Sequence, residues 1–295
     1  MRNLVIILGD QLDPESAALD GFESGRDLVW MAELPQEATH VWSHKARIAL
    51  FLAAMRHFAN AVDKRRYRLR YLRLGEHDHN NFRQALTAEI ERERPERLVV
   101  AQPGEYRVLT QLREVARTSG LDLELREDRQ FLIGLEEFTN WAAGRKTLRL
   151  EHFYRYMRQR TGLLMENRNP IGGQWNLDKQ NRRSFAKEGP GKLPSVKSFR
   201  PDKLTSEVLE EVENFYPGHP GSLEYFDWPV TPQDAEQALN DFIRHRLGNF
   251  GPFQDAMWMG EPLVYHSRLS AALNLKLISP RRVIDAAVRA FDRGE

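Results

Sequence analysis

Short apolar runs alternate with amphipathic stretches over the first 130 positions of the chain. Positions 4–8 form one run, and 27–34 enclose another, Leu28-Val29-Trp30-Met31-Ala32. Positions 67–74 alternate apolar and basic residues at period two, the pattern of a half-exposed strand. Leu98-Val99-Val100-Ala101 and positions 121–125 complete five candidate strands. Helical spacing lies between them, over 43–62, 80–94 and 105–119. In the first of these Ile48, Phe51, Leu52, Met55 and Phe58 recur three or four apart and share one face. Strands alternating with helices predict a mostly parallel, Rossmann-like α/β sheet covered on both faces.

The pattern changes after position 130. Helices are predicted over 138–141 and 150–160. A long irregular connection over 161–201 carries Gly172-Gly173 and Gly189-Pro190-Gly191, a length that is uncommon without a function. A helix over 205–215 follows, with Thr205 as its candidate cap, and Pro217, Gly218, Pro220 and Gly221 break the chain. Thr231-Pro232-Gln233-Asp234 then opens a helix with a capping hydroxyl and a proline in its first turn. Further helices are expected over 267–275 and 280–291. The segments read as an α/β domain over 1–130, a basic linker with helices over 131–230, and the start of an all-helical domain over 231–295.

Composition narrows the class. Of 295 residues, 41% are hydrophobic and 29% charged, as in soluble proteins. No apolar run approaches the roughly 18 residues of a membrane span. The apolar start of the chain runs into Asp10 without a small-residue cleavage site, so it reads as a buried strand rather than a signal peptide. The cysteine count is zero, which excludes disulfides, thiolate metal sites and cysteine nucleophiles; the cytoplasm is the default location. The net charge is +1, yet positions 140–200 hold 14 Lys plus Arg against 4 Asp plus Glu, leaving −9 for the remainder. Such a segment attracts a polyanion whatever the total, or serves as a solvated linker.

The first strand ends in Gly9-Asp10-Gln11, where an α/β sheet binds ligands. Asp10 and Gln11 could hydrogen-bond a ring edge or polyol hydroxyls, and Glu37 after the second strand could accept from a heterocycle. Neither G-x-G-x-x-G nor a phosphate-loop motif is present. His40 and His44 lie four apart without H-E-x-x-H, so no metal site is assigned. No nucleophile motif is visible, and no catalytic residue is assigned. Within the basic segment Arg145, Lys146, Arg149, Arg182 and Arg183 are candidate phosphate contacts. Trp175 is either a base-stacking platform or an anchor for its loop. Near the carboxyl end, His266-Ser267-Arg268-Leu269-Ser270 places hydroxyls and backbone N–H groups at a predicted helix start, which suits an anion.

Several stretches together resemble the iron–sulfur bacterial cryptochromes and photolyases, also called prokaryotic (6-4) photolyases. They are Leu8-Gly9-Asp10-Gln11-Leu12, Ala54-Met55-Arg56-His57-Phe58, Pro103-Gly104-Glu105-Tyr106-Arg107-Val108, Asn140-Trp141-Ala142-Ala143-Gly144-Arg145-Lys146, Gly172-Gly173-Gln174-Trp175-Asn176 and Gln254-Asp255-Ala256-Met257. The resemblance implies an antenna domain joined by a long linker to a helical FAD domain. It implies light-driven electron transfer from reduced FAD to a pyrimidine–pyrimidone lesion flipped out of UV-damaged DNA. The family's lumazine antenna maps onto Asp10, Gln11 and Glu37, with bulky Phe51 placed to narrow the site. The FAD phosphates map onto His266, Ser267, Ser270 and the backbone N–H of Leu269. The family's iron–sulfur cluster needs cysteines that this chain lacks. The helices that enclose the flavin ring belong beyond Glu295, so a carboxyl-terminal half is the implied partner, and the chain is expected to be incomplete alone. A light-sensing cryptochrome without repair, or a non-catalytic nucleic-acid or nucleotide-binding fragment, are the alternatives.

Overall fold

The computed structural model describes residues 1–177 and 180–294. Five apolar runs become strands: β1 (Asn3–Ile6), β2 (Asp27–Ala32), β3 (Leu69–Leu72), β4 (Arg97–Ala101) and β5 (Asp122–Arg126). They form one sheet in the order β3-β2-β1-β4-β5, with every neighbouring pair parallel. Parallel neighbours require crossovers. These are a single 3₁₀ turn at Ala17–Leu19, then α1 (Pro35–Thr39) with α2 (Lys45–Lys64), α3 (Phe82–Glu93) and α4 (Tyr106–Ser119). The strand order reverses between β1 and β4, so the loops after these two strands flank the crevice where such sheets take ligands.

Leu4, Ile6, Leu28, Trp30, Leu98 and Val100 meet Leu86 of α3 and Leu112 and Val115 of α4 in one buried cluster. The alternate residues Val5, Val29, Met31 and Val99 are buried as well. Burial on both faces is why the strands read as continuous apolar runs instead of alternating ones. Each buried Leu or Val contributes about 1.5–3 kcal/mol. Helix α2 buries Ile48, Leu52, Met55 and Phe58, as its spacing predicts.

The described chain divides into two compact units. The first joins Met1–Gln130 with Ser198–Ala235 and Ala271–Ile278; the second joins Phe131–Lys197 with Glu236–Ser270 and Ser279–Glu295. In the first unit α7 (Lys203–Phe215) packs along α2. Its cap is Asp202, whose carboxylate accepts from Thr205 N at 2.8 Å. The expected cap, Thr205, is therefore a residue of the first turn. An aspartate three positions earlier outcompetes it because its charge also suits the helix N-terminus.

The chain after α7 returns to the start of α2. Pro220 O accepts from Lys45 N at 2.9 Å, and the His219 ring bonds Ser43 O at 2.8 Å. His44 Nδ1 accepts from Ala46 N at 3.0 Å, so an imidazole caps α2. Gly221 makes this fit possible, because its φ is +91° and a Cβ there would lie 1.8 Å from His44 Nε2. Gly221→Ala is expected to destabilise the protein by about 1–3 kcal/mol, through left-handed strain and loss of the cap. Urea denaturation checks this; an unchanged midpoint contradicts it.

The second unit holds α5 (Leu135–Ala142), α6 (Leu150–Thr161), a small antiparallel hairpin of β6 (Met165–Glu166) and β7 (Asn169–Pro170), α9 (Leu247–Phe253) and α11 (Pro280–Asp292). Trp141 is 8% exposed, with the rings of Phe153, Phe138 and Tyr156 at 4.8, 5.8 and 6.2 Å. A second aromatic group joins Phe185, Phe253, Trp258 and Tyr265. Helices α8 (Pro232–His245) and α10 (Ser270–Asn274) each begin in one unit and continue in the other. Thr231 caps α8 as expected, accepting from Asp234 N at 3.1 Å. No helix of the described residues is long and apolar enough to cross a membrane.

Candidate functional site

The edge beyond β1 and β4 gathers the first set of candidates. Gln11 is 1% exposed, and its Nε2 donates to Ala101 O at 3.0 Å and to Gln102 O at 3.4 Å. Both partners are carbonyls, so the amide nitrogen must face them. Its Oε1 is then left buried without a partner, an acceptor in want of a donor. Asp10 is half-buried beside it. Burial pushes the Asp10 carboxyl up, Lys276 pulls it down, and the charges of Asp128 and Glu105 push it up again.

The expected neighbours are arranged less simply. Glu37 is exposed and paired with Arg107, whose Nη2 lies 2.7 Å from Glu37 Oε2 and whose Nε lies 2.6 Å from Glu105 Oε1. Hydrogen bonding to Arg107 holds Glu105 below the usual carboxylate range. Phe51 does turn toward the β1 loop. A Cβ on Gly9 would lie 3.1 Å from Met55 Sδ and 3.6 Å from Phe51 Cδ1, and the Arg47 guanidinium sits 5.4 Å from the Phe51 ring centre. A side chain at position 9 would press on Met55, so the close approach favours glycine there. Lys276, Asp128 and Arg107 were not read as site residues. Lys276 and Asp128 are 148 positions apart, and no local pattern links them.

A folded carboxylate pushed above its ordinary value favours the protonated state. Asp10 therefore costs stability as pH rises from the unfolded value of about 3.9 through the folded one. Asp10→Asn is expected to raise the urea midpoint at pH 7, with the gain shrinking towards pH 4. An equal or lower midpoint at pH 7 contradicts this.

The second set lies around residues 266–270. His266 N donates to Leu263 O at 2.9 Å, and Leu269 N to Ser267 Oγ at 3.3 Å. Ser267 is half-buried, Ser270 is exposed, and Leu269 is 2% exposed. Val264 and Arg268 both carry left-handed φ, +44° and +57°. Such backbone costs about 1–3 kcal/mol per residue and gathers at ligand clamps. Ser270 opens α10, and Ser267 Oγ turns back to the backbone N–H two positions on.

The basic segment separates into engaged and open side chains. Arg145 Nε donates to Trp141 O at 2.7 Å, and its guanidinium lies 4.5 Å from the Trp141 ring centre. Arg155 and Arg158 lie 5.4 and 5.9 Å from the Trp175 ring centre, which ties the loop of Trp175 to α6. Arg160 is paired with Glu137. Lys146, Arg149, Arg182 and Arg183 are exposed, and among the described residues none of them has an ion-pair partner.

Similarity to known proteins carries the description further. A family model described as deoxyribodipyrimidine photo-lyase-related protein matches residues 5–228. The chain belongs to that family. Over 296 aligned residues it is 44% identical to a (6-4) photolyase of Agrobacterium fabrum, spanning all of this chain and 58% of the relative. Among solved structures, a cryptochrome of Synechocystis sp. PCC6803 superposes with a TM-score of 0.58 at 14% identity, over 99% of this chain and 56% of that one. A bacterial class III photolyase of Agrobacterium tumefaciens gives 0.55 at 15% identity, over 97% and 52%. These two likenesses show the fold. The chain thus spans little more than half the length of the photolyases and cryptochrome it matches.

Photolyase-related membership names the groups to test against these residues. The buried acceptor of Gln11 and the carboxyl of Asp10 fit a heterocycle or polyol offering donors. The accessible hydroxyl of Ser270 and the half-buried hydroxyl of Ser267 fit a diphosphate. An iron–sulfur cluster does not fit this chain, which has no cysteine to ligate one.

Proposed function

We propose that this chain serves a flavin-dependent DNA photolyase of the (6-4) type, and that residues 266–270 hold the FAD diphosphate. The 44% identity to the Agrobacterium fabrum (6-4) photolyase over the full chain carries the reading. When bound, reduced FAD supplies a photoexcited electron to the lesion. The residues of this chain do the binding and orienting. Ser267, Ser270 and the His266 side chain offer hydrogen bonds to phosphate oxygens, and the Leu269 N–H exchanges its Ser267 partner for one of them. Asp10 and Gln11 hold a lumazine antenna by its N–H and O–H groups, Glu37 borders the site, and Phe51 limits its depth. Lys146, Arg149, Arg182 and Arg183 neutralise phosphates of UV-damaged DNA.

The test is a lit and a dark assay on a (6-4)-lesion oligonucleotide with reduced FAD supplied. One sample contains the purified chain, and a second adds a polypeptide equivalent to the unmatched part of the Agrobacterium relative. Light-dependent lesion loss in either sample supports the reading. Lesion persistence in both lit samples contradicts it.

A further inference from the structure

Residues 181–189 run without helix or strand, yet they are pinned along their length. Arg183 N donates to Pro252 O at 3.0 Å. The Phe185 ring stacks on Phe253 at 4.6 Å and 10°, with Tyr265 at 6.4 Å and Trp258 edge-on at 6.3 Å. Phe253 and Tyr265 stack on each other at 5.7 Å. Gly189, at φ +83°, lies so close to Trp258 that a Cβ there would sit 2.8 Å from its Cε2. The rings do not form a sealed core: Phe185, Phe253 and Tyr265 are half-buried, and Trp258 is 38% exposed. The stack joins two segments with separate roles. Arg182 and Arg183 come just before Phe185 in the chain, and His266 comes directly after Tyr265. All of these residues lie in the second unit.

We propose that Phe185 is a positioning residue through which the FAD turn and the DNA-contacting arginines stabilise each other. A segment without regular structure must be ordered before its side chains meet phosphates in a fixed register, and that ordering costs conformational entropy. FAD bound at 266–270 fixes the backbone next to Tyr265, and with it one wall of the aromatic stack. Phe185 then packs on a settled surface, so part of the ordering is done before DNA arrives. Linkage makes the effect mutual: DNA that orders the segment tightens FAD by the same factor. The inference rests on the FAD and DNA assignments proposed above, and adds the residue that joins them.

The test is hydrogen exchange across 181–189, read by mass spectrometry with and without FAD in the dark. Beside it, anisotropy of a dye-labelled (6-4)-lesion duplex is measured under the same two conditions. In the wild-type chain FAD should slow exchange in the segment and tighten DNA by at least about 5-fold, the lower end of ordinary coupling between sites. Phe185→Leu should still bind FAD and lose both effects. Phe185→Tyr, which keeps a ring in the stack, should retain them. A merely structural role would shift stability and leave the FAD-induced changes intact. Gly189→Ala, which presses on Trp258 and leaves Phe185 in place, should weaken both effects and serves where Phe185→Leu does not fold. FAD binding that changes neither exchange nor DNA affinity, or only one of them, overturns the proposal and leaves the FAD site standing; so do effects that survive Phe185→Leu. Failure of the wild-type chain to bind FAD overturns the FAD assignment, and the coupling with it.

Discussion

Replacing Arg56 with methionine is expected to cost about 3–5 kcal/mol of folding free energy, the scale for stranding one member of a buried ion pair. Glu33 ends the second strand run and is 1% exposed; Arg56 is 2% exposed. Arg56 Nε and Nη2 lie 2.8 and 2.9 Å from the two Glu33 oxygens, in a bidentate fork. Leu74 N donates to the same carboxylate at 2.8 Å, and so does the Tyr71 hydroxyl. Burial first, and then Glu33, push Tyr71 well above the ordinary tyrosine range, so it remains a donor at any working pH. Arg56 also reaches Glu211 on α7, Nη1 to Oε1 at 2.9 Å. One guanidinium thus joins β2, α2 and α7, while Glu33 ties in the turn after β3. Urea denaturation of Arg56→Met reads the loss, and the double variant with Glu33→Leu should recover most of it, because no buried charge is then left alone. Glu211→Gln should cost no more than about 1 kcal/mol, since its carboxylate lies near solvent. A mild Arg56→Met, or a double variant worse than the single, contradicts this account of the junction.

The second large effect concerns nucleic acid. Simultaneous change of Lys146, Arg149, Arg182 and Arg183 to Gln is expected to flatten the salt dependence of DNA binding. Four phosphate contacts carry a slope of about −3.6 in log K against log salt, roughly 100-fold in affinity between 50 and 200 mM. Arg158→Gln is the matched control. Its Nε donates to Leu163 O at 2.8 Å and its Nη1 to Tyr154 Oη at 2.6 Å, so its loss should loosen the carboxyl end of α6 and leave the slope nearly unchanged. Fluorescence anisotropy over a salt series distinguishes them. An unchanged slope in the quadruple variant places the DNA contacts elsewhere.

The difference between those two sets of arginines was not legible in the chain. Composition marks positions 140–200 as basic, but whether a guanidinium is spent on a carbonyl, a ring or a carboxylate is a property of packing. Trp175 illustrates this, because both of its readings fit a Gly-Gly-Gln-Trp loop, and only the placement of Arg155 and Arg158 favours the anchor. The five strands were legible because burial on both sheet faces demands unbroken apolar runs. Helix α1 has five residues, too few for a 3.6-residue period to show, and α9 contains Pro252, which argues against a helix on propensity alone. Arg56 sits among the buried face of α2, and a charge at a core position is itself a signal of a partner. That partner could not be named before Glu33 and Glu211 were brought together by the fold. That Asp10 and Gln11 lie in the loop beyond the first strand was readable, because the apolar run ends just before them. The pairing of Lys276 was not, since its partner Asp128 lies 148 positions away.

The central claim is that the turn over residues 266–270 binds FAD through its diphosphate. It is tested most directly by comparing FAD with riboflavin on the purified chain, by fluorescence titration in the dark. Riboflavin carries the same ring without the diphosphate. The expected result is FAD binding at least about tenfold tighter than riboflavin, the scale of one lost charge-assisted hydrogen bond, with that advantage erased in Ser267→Ala/Ser270→Ala. Equal affinities for the two ligands, no FAD binding, or an advantage that survives the double substitution would contradict the claim.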